Sequence, residues 1–508
     1  YMSKRTMDMS RFDKMSEQQK KQMKARFKNF LEKTYTLSFN KSESSFKENV
    51  TLDAPGTSGP SWGRSNGQGS IYKDLKSKEI VEISANKSID TIIKSANSEY
   101  IYWDKFKHKK FPNGINAEIA WACLKLTRTA TEKGTPVKDK NGTPFWYWLP
   151  DIALKDLSLI DKRAGGEILV DDPSINDPKN KERFLVNSIM EESIASSQLE
   201  GAATTRKHAK EMLRTRKKPR TKPEQMIYNN YHTIAWIKEI KNEPLTPGLI
   251  KEIQKKITTE TLEDSDPAGC FQTEDEKRVT IWFDNKLIFE PPEASEINQR
   301  VEALCDFANQ PESETEFDHP ILKAIILHFW LAYIHPFPDG NGRTSRALFY
   351  WYALKNEYWQ FEYLSISRIV LKAPEQYVRA FLYSEIDECD LTYFIAFHLR
   401  TIRLAIKDLQ QYLRRKRKEL SKIRELDLLS TQLNFRQGAL LRYALTHSSD
   451  FYTTIKTHQN IYKVAYQTAR ADLDSLEKLG LLTRKKIGHE YCFYSTPNLY
   501  KKIKDILK

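Results

Sequence analysis

The sequence predicts a mainly α protein with a helical N-terminal subdomain, a helical core carrying one β-hairpin, and a C-terminal winged helix. Three observations predict it. Apolar residues recur at helical spacing on both sides of a Gly-rich loop, through Ile321, Ala324, Ile325, Leu331 and Ile334 before it and from Ala347 to Leu354 after it. Two short β-prone runs, Val279-Thr280-Ile281-Trp282-Phe283 and Leu287-Ile288-Phe289, flank the polar Asp284-Asn285-Lys286. Near the C-terminus a helical pattern from Tyr466 ends at Gly480, and residues 482–494 read as a strand pair around Gly488.

Taken in order, residues 1–70 are a basic arm and linker, with one helix expected near Glu17 to Lys33 and loop composition from 54 to 70. Residues 71–179 form the N-terminal subdomain, marked by Tyr100-Ile101-Tyr102-Trp103, Trp121 and Phe145-Trp146-Tyr147-Trp148. The core is expected over 180–400, including a helix at 180–201 and the hairpin at 277–292. A connecting helix follows at 401–429, carrying Arg414-Arg415-Lys416-Arg417-Lys418, and the winged helix fills 430–508.

Composition narrows the class. No apolar stretch approaches the roughly 20 residues needed to span a bilayer, so no membrane partner is expected. The N-terminal stretch is Lys/Arg-rich without an apolar signal core. The five cysteines are odd in number and far apart, as in reduced cytoplasmic proteins rather than disulfide frames or zinc sites. A cytoplasmic location is the expectation. Net charge is +14, and its basic runs read as solvated faces before they read as nucleic-acid contacts.

The chemistry concentrates in one run, His335-Pro336-Phe337-Pro338-Asp339-Gly340-Asn341-Gly342-Arg343-Thr344-Ser345-Arg346. His335 can accept a proton near neutral pH. Asp339 is a hard oxygen ligand of the kind that holds Mg²⁺ together with phosphates. Gly340 and Gly342 permit backbone conformations that aim several N–H groups at one anion, and a following helix adds its N-terminal dipole. Arg343 and Arg346 lie three apart, so a helix would put them on one face, able to fork phosphate groups. Upstream, Asp318-His319-Pro320 reads as a helix start with Asp318 as N-cap, while His319 and His328 read as surface or packing residues.

This run resembles the HPFx(D/E)GNGRxxR signature of the Fic family, with every signature position filled. The resemblance implies a Fic helical core that binds ATP·Mg²⁺ (Mn²⁺ the alternate ion) and moves AMP onto a Ser, Thr or Tyr hydroxyl of a target protein or of itself. It implies His335 as base, with Asn341 and Arg343 also catalytic. Gly340, Asn341, Gly342, Arg343 and Arg346 would bind ATP, and Asp339 the metal. Ser196-Ser197-Gln198-Leu199-Glu200-Gly201 resembles the (S/T)xxxE(G/N) motif of one Fic class, which implies inhibition through Ser196, Glu200 and Gly201. The hairpin, with Val279, Thr280, Ile281 and Trp282, corresponds to the Fic flap that docks a target by strand pairing. Removal of AMP at the same site is the first alternative. A phosphotransferase is disfavoured because that branch replaces the glycine found here as Gly342. A DNA-binding regulator with a nucleotide-sensing core is a third; the winged helix reads first as an interaction or homodimer module, DNA binding second.

Overall fold

The computed structural model describes residues 87–165, 178–262, 267–276, 278, 281–283, 286–311, 317–428, 433–446, 451–487 and 490–506. The predicted arm and linker, and the flap residues Val279 and Thr280, lie outside the described residues. The described residues divide into two compact units, one within 87–165 and 184–406, the other within 178–183 and 407–506.

In the first unit, α1 (Lys87–Glu99) and α2 (Ala117–Thr129) bury Ile89, Ile93 and Ala96 against Ala120, Trp121 and Leu124. Asn116 starts α2 by accepting the Ile119 N–H at 2.8 Å, an N-cap bond. β1 (Lys133–Lys138) and β2 (Pro144–Tyr147) follow as an antiparallel pair. A buried charge network joins α2 to the far end of the core. Lys125 lies 3.1 Å from Asp387 and 3.8 Å from Asp390. Arg128 donates to the Tyr393 hydroxyl at 2.8 Å, and Tyr100 donates to Asp390 at 2.7 Å. The N-terminal subdomain therefore shares one compact unit with the core.

The core runs through α3 (Pro178–Leu199), α4 (Arg206–Thr215), α5 (Lys222–Ile237), α6 (Pro247–Thr258), α7 (Ile297–Asn309), α8 (Pro320–Ile334) and α9 (Asn341–Lys355). Helix α8 is apolar nearly all round, and both α8 and α9 are buried along most of their length and central, with Trp330 and Trp351 in the core. The start of α8 differs from expectation. Pro320 occupies its first turn, so His319 is the N-cap and accepts the Ile321 N–H at 3.2 Å; Asp318, one residue too early to cap, pairs with Lys133 at 2.7 Å. His328 is a packing residue, its Nε2 3.0 Å from the Tyr377 hydroxyl. The predicted hairpin is present as β3 (Ile281–Phe283) antiparallel to β4 (Lys286–Phe289), with Lys286 already paired to Phe283 instead of turning. After α10 (Pro374–Ile386), one helix, α11 (Thr392–Leu428), runs without a break where a separate connector was expected.

The second unit contains α12 (Phe435–Thr446), β5 (Tyr452–Thr454), α13 (Ile455–Tyr462), α14 (Tyr466–Lys478), β6 (Leu482–Ile487), β7 (Glu490–Ser495) and α15 (Leu499–Ile506). Its antiparallel sheet has strand order β5-β7-β6 and packs Phe493 with Leu441, Leu473 and Leu476. Asp472 on α14 turns inward, bonded to Arg436 at 2.6 Å and to Asn434 at 2.6 Å. No helix among the described residues is long and apolar enough to cross a membrane.

Lys125→Met tests the charge network. It leaves the carboxylates of Asp387 and Asp390 buried without their cation, so it should cost about 3–5 kcal/mol, read as a lower urea midpoint. A loss under about 1 kcal/mol would mean the network contributes little.

Candidate active site

The site begins where α8 ends. His335 adopts the left-handed conformation (φ 51°, ψ 54°), and its N–H closes the helix on the Leu331 carbonyl at 3.0 Å. This turn swings the half-buried imidazole away from the helix line. Nδ1 lies 3.3 Å from the Ala332 carbonyl, so the tautomer that donates there leaves Nε2 as the proton acceptor. Burial pushes the His335 pKa down to about 4, helped by Arg278, while the Ala332 carbonyl, Glu200 and Asp339 pull it up. The ring is neutral at pH 7.

The loop is held from several sides. Asn341 accepts the Phe337 N–H at 3.0 Å and donates to the Phe337 carbonyl at 2.6 Å. Its side chain thus closes the loop. Gly340 has φ +86°, and a Cβ there would lie 2.7 Å from Thr258 Cγ2 of α6, so glycine is required by both backbone and space. Gln254, fully buried on α6, donates to the Asp339 carbonyl at 3.0 Å and accepts the Gly269 N–H at 2.6 Å.

Helix α9 opens at Asn341, and its first-turn N–H groups have no partner within the helix, which makes an anion cradle. A carboxylate sits in it. Glu200 Oε1 is 2.9 Å from Arg346 Nη1, and a Cβ added at Gly342 would come within 2.2 Å of the same oxygen. Gly342 therefore makes room for the anion. Ser196 supports the pair, its hydroxyl accepting from Arg346 Nε at 2.8 Å and its carbonyl from Nη2 at 2.9 Å. Burial works against the Arg346 charge, yet Glu200, Tyr377 and Glu192 outweigh it and raise the guanidinium pKa. Glu200 reaches the cradle because α3 stops there in a Schellman turn. Ala202 N–H bonds the Ser197 carbonyl at 3.0 Å, Gly201 N–H bonds Gln198 at 3.1 Å, and Gly201 has φ +90°.

Arg343 and Arg346 do not fork one anion in this state. Arg343, with its side chain fully buried, donates to the Ile257 carbonyl and to Asp339, both at 3.2 Å. Its Nε has no hydrogen-bond partner among the described residues. The Asp339 carboxylate is about half exposed and accepts the Gly340 N–H at 2.6 Å. No cluster of three or more metal-ligating side chains occurs among the described residues. A lone, accessible carboxylate beside an anion cradle fits the way Mg²⁺ binds, through one or two carboxylates plus phosphates.

Arg278 escaped the sequence reading. It donates to the carbonyls of Pro292 (2.8 Å), Ile334 (2.6 Å) and His335 (3.2 Å), closing the base of the hairpin onto the C-terminal end of α8, where a cation complements the helix dipole. Nothing local in the sequence marks it. Gln254 did carry a signal, as a lone amide on the apolar stripe of Ile250, Ile253 and Ile257. The hairpin itself lies against the base, with the Phe289 ring 6.4 Å from that of His335.

Part of the chain is similar to known proteins. Residues 244–353 match the family described as "Fic/DOC family". A Nematostella vectensis protein named "Protein adenylyltransferase Fic" is 41% identical over 58 residues, 11% of this chain and 13% of the relative. The Caenorhabditis elegans "Protein adenylyltransferase fic-1" is 40% identical over 60 residues, 12% of this chain and 11% of the relative. The chain thus aligns with only about an eighth of the length of these relatives. Among solved structures, a Fic family protein from Desulfovibrio desulfuricans has a TM-score of 0.47 at 17% identity, covering 69% of this chain and 98% of that one. Fic-1 from C. elegans has a TM-score of 0.43 at 16% identity, covering 66% and 88%.

Histidine NMR tests the electrostatics. His335 should titrate near pH 4, remaining neutral through pH 6.5 where an ordinary imidazole is half protonated. A midpoint at 6.5 or above would mean that the base is not desolvated.

Proposed function

We propose that this chain, whose residues 244–353 match the Fic/DOC family, is a protein adenylyltransferase that its own α3 helix restrains. The observation that carries the reading is the shared anion position. One buried guanidinium, one helix N-terminus and one glycine gap converge on a point beside a neutral histidine, and an internal carboxylate fills that point.

ATP would lie with its phosphates over the Gly340–Arg343 turn. The acceptor hydroxyl oxygen attacks the α-phosphorus, and His335 Nε2 takes the hydroxyl proton. The bond from that phosphorus to its bridging oxygen breaks, and pyrophosphate leaves. First-turn N–H groups, preorganised by Asn341 and Gln254, stabilise charge on the phosphoryl oxygens. Arg346 would meet the terminal phosphate in place of Glu200. Asp339 would hold Mg²⁺, which when bound neutralises phosphate charge. The flap would present the acceptor segment by main-chain pairing.

The restraint follows from competition. With Glu200 on Arg346, the terminal phosphate is displaced and the α-phosphate is mis-set; misplacement by about 1 Å can cost near 100-fold. Removal of AMP is the second reading, favoured by the position of the Glu200 carboxylate, which is part-exposed over the cradle and could align a water. In the second unit, the order helix, strand, two helices, two strands supports a winged helix. Arg470 on α14 is 3.4 Å from Asp474, and Arg484 is 3.3 Å from Asp474 and from Glu477. Those internal pairs favour a protein-interaction role over a groove-reading helix.

Incubation with labelled ATP and lysate, followed by mass mapping, tests the reading. His335→Ala should lower AMP transfer by about 10²–10⁴-fold while ATP binding survives; loss of both would make His335 structural. Glu200→Gly should raise transfer strongly, and Arg346→Ala in that background should cancel the gain. If Glu200→Gly leaves transfer unchanged and destroys AMP removal, the second reading wins.

A further inference from the structure

Nothing in the proposed reaction uses Tyr333, although it sits two residues before the base. Its ring is buried on α8 and packs on Phe289 of β4 with centroids 5.5 Å apart; Phe289 in turn stands 6.4 Å from His335. Behind it the ring meets Phe145 of β2 at 5.4 Å and Phe329 at 5.8 Å. Its hydroxyl accepts the backbone N–H of Lys140 at 3.1 Å, in the turn between β1 and β2.

That turn is a rigid object. Asp139 Oδ1 accepts the N–H groups of Asn141 (2.8 Å) and Thr143 (2.7 Å), a side-chain mimic of a backbone turn. From α7, Arg300 donates to the carbonyls of Lys138 at 2.7 Å and Asp139 at 2.9 Å. The turn also touches the hairpin directly, with Lys140 Nζ 2.9 Å from Glu290 Oε2, just past β4. Both partners of that ion pair are about half exposed, so it contributes little. The buried Tyr333 hydroxyl is the stronger link between the two hairpins.

We propose that Tyr333 is a positioning residue through which the β1–β2 turn fixes the height of the β3–β4 hairpin over His335, and so the approach of the acceptor hydroxyl. This rests on the reading of β3–β4 as the acceptor-docking flap. Burial, then Glu385 and Asp139, raise the hydroxyl pKa well above its ordinary value, so it stays a neutral hydrogen-bonding group at working pH. The contact path from the Lys140 amide through Tyr333 and Phe289 to the His335 ring is continuous and lies within one compact unit. It would make acceptor alignment a property of the N-terminal subdomain as well as of the core, while the phosphate cradle, built on α3, α6 and α9, stays independent of it.

Tyr333→Phe in the full chain tests this, because it keeps the ring and removes only the hydroxyl link. Hydrogen exchange of the β3–β4 backbone amides should accelerate about fivefold, as expected for one lost buried hydrogen bond. In the Glu200→Gly background, self-labelling at saturating ATP should fall by a similar factor with the KM for ATP unchanged. Lys140→Ala, which removes only the exposed ion pair, should leave exchange within twofold. Unchanged exchange in Tyr333→Phe overturns the proposal, and so does a defect that appears in the KM for ATP instead. Faster exchange in a chain that transfers no AMP even with Tyr333 intact supports the structural tie and counts against the adenylyltransferase reading alone.

Discussion

The charge of Arg346 is the constraint around which this site is organised. A guanidinium this deeply buried needs an anion and hydrogen-bond acceptors, because an uncompensated buried charge costs several kcal/mol. Ser196 supplies the acceptors from a buried position and Glu200 supplies the anion. The two differ in how easily they leave. Ser196 is 2% exposed, whereas the Glu200 side chain is 32% exposed at the end of its helix. Exchange of the carboxylate for a phosphate would keep the cation compensated throughout, with Ser196 holding its orientation in both states.

The rest of the cradle is braced by contacts separate from the Glu200–Arg346 pair. Gly340 is wedged against Thr258, and Gln254 and Asn341 hold the loop with side-chain amides. At Gly342 the missing side chain leaves the space that the Glu200 carboxylate occupies. The same principle governs the base. His335 is fixed by the αL turn that ends α8 and by Arg278, which binds the carbonyls around it, so its neutral form faces the site without rearrangement.

Much of this was legible in the sequence because it is local. The loop from His335 to Arg346, the buried helices around it, the hairpin and the Ser196–Gly201 helix end each depend on residues within a few positions of one another. Gly201 caps α3, and the turn it closes leaves Glu200 within reach of Arg346. What could not be read is tertiary. Lys125 and Arg128 look like surface charges on a helix, yet they meet partners more than 250 residues away. Asp472 is a carboxylate on a helix, and only the tertiary fold makes it the buried tie of the second unit. The bonds of Asn341 to Phe337 and of Arg343 to Asp339 and Ile257 are likewise tertiary or loop contacts that the motif does not spell out. Asp318 failed as a cap by one residue, a distance no composition rule resolves.

The most direct measurement is a pair of crystal structures with ATP and Mg²⁺, of the natural chain and of its Glu200→Gly variant. The account predicts that Glu200 keeps its contact with Arg346 in the first, with the terminal phosphate turned away. In the second, a phosphate should take that contact and the α-phosphate should come into line with His335 Nε2. Identical phosphate positions in both, with Arg346 bound to Glu200 and ATP fully engaged, would contradict it.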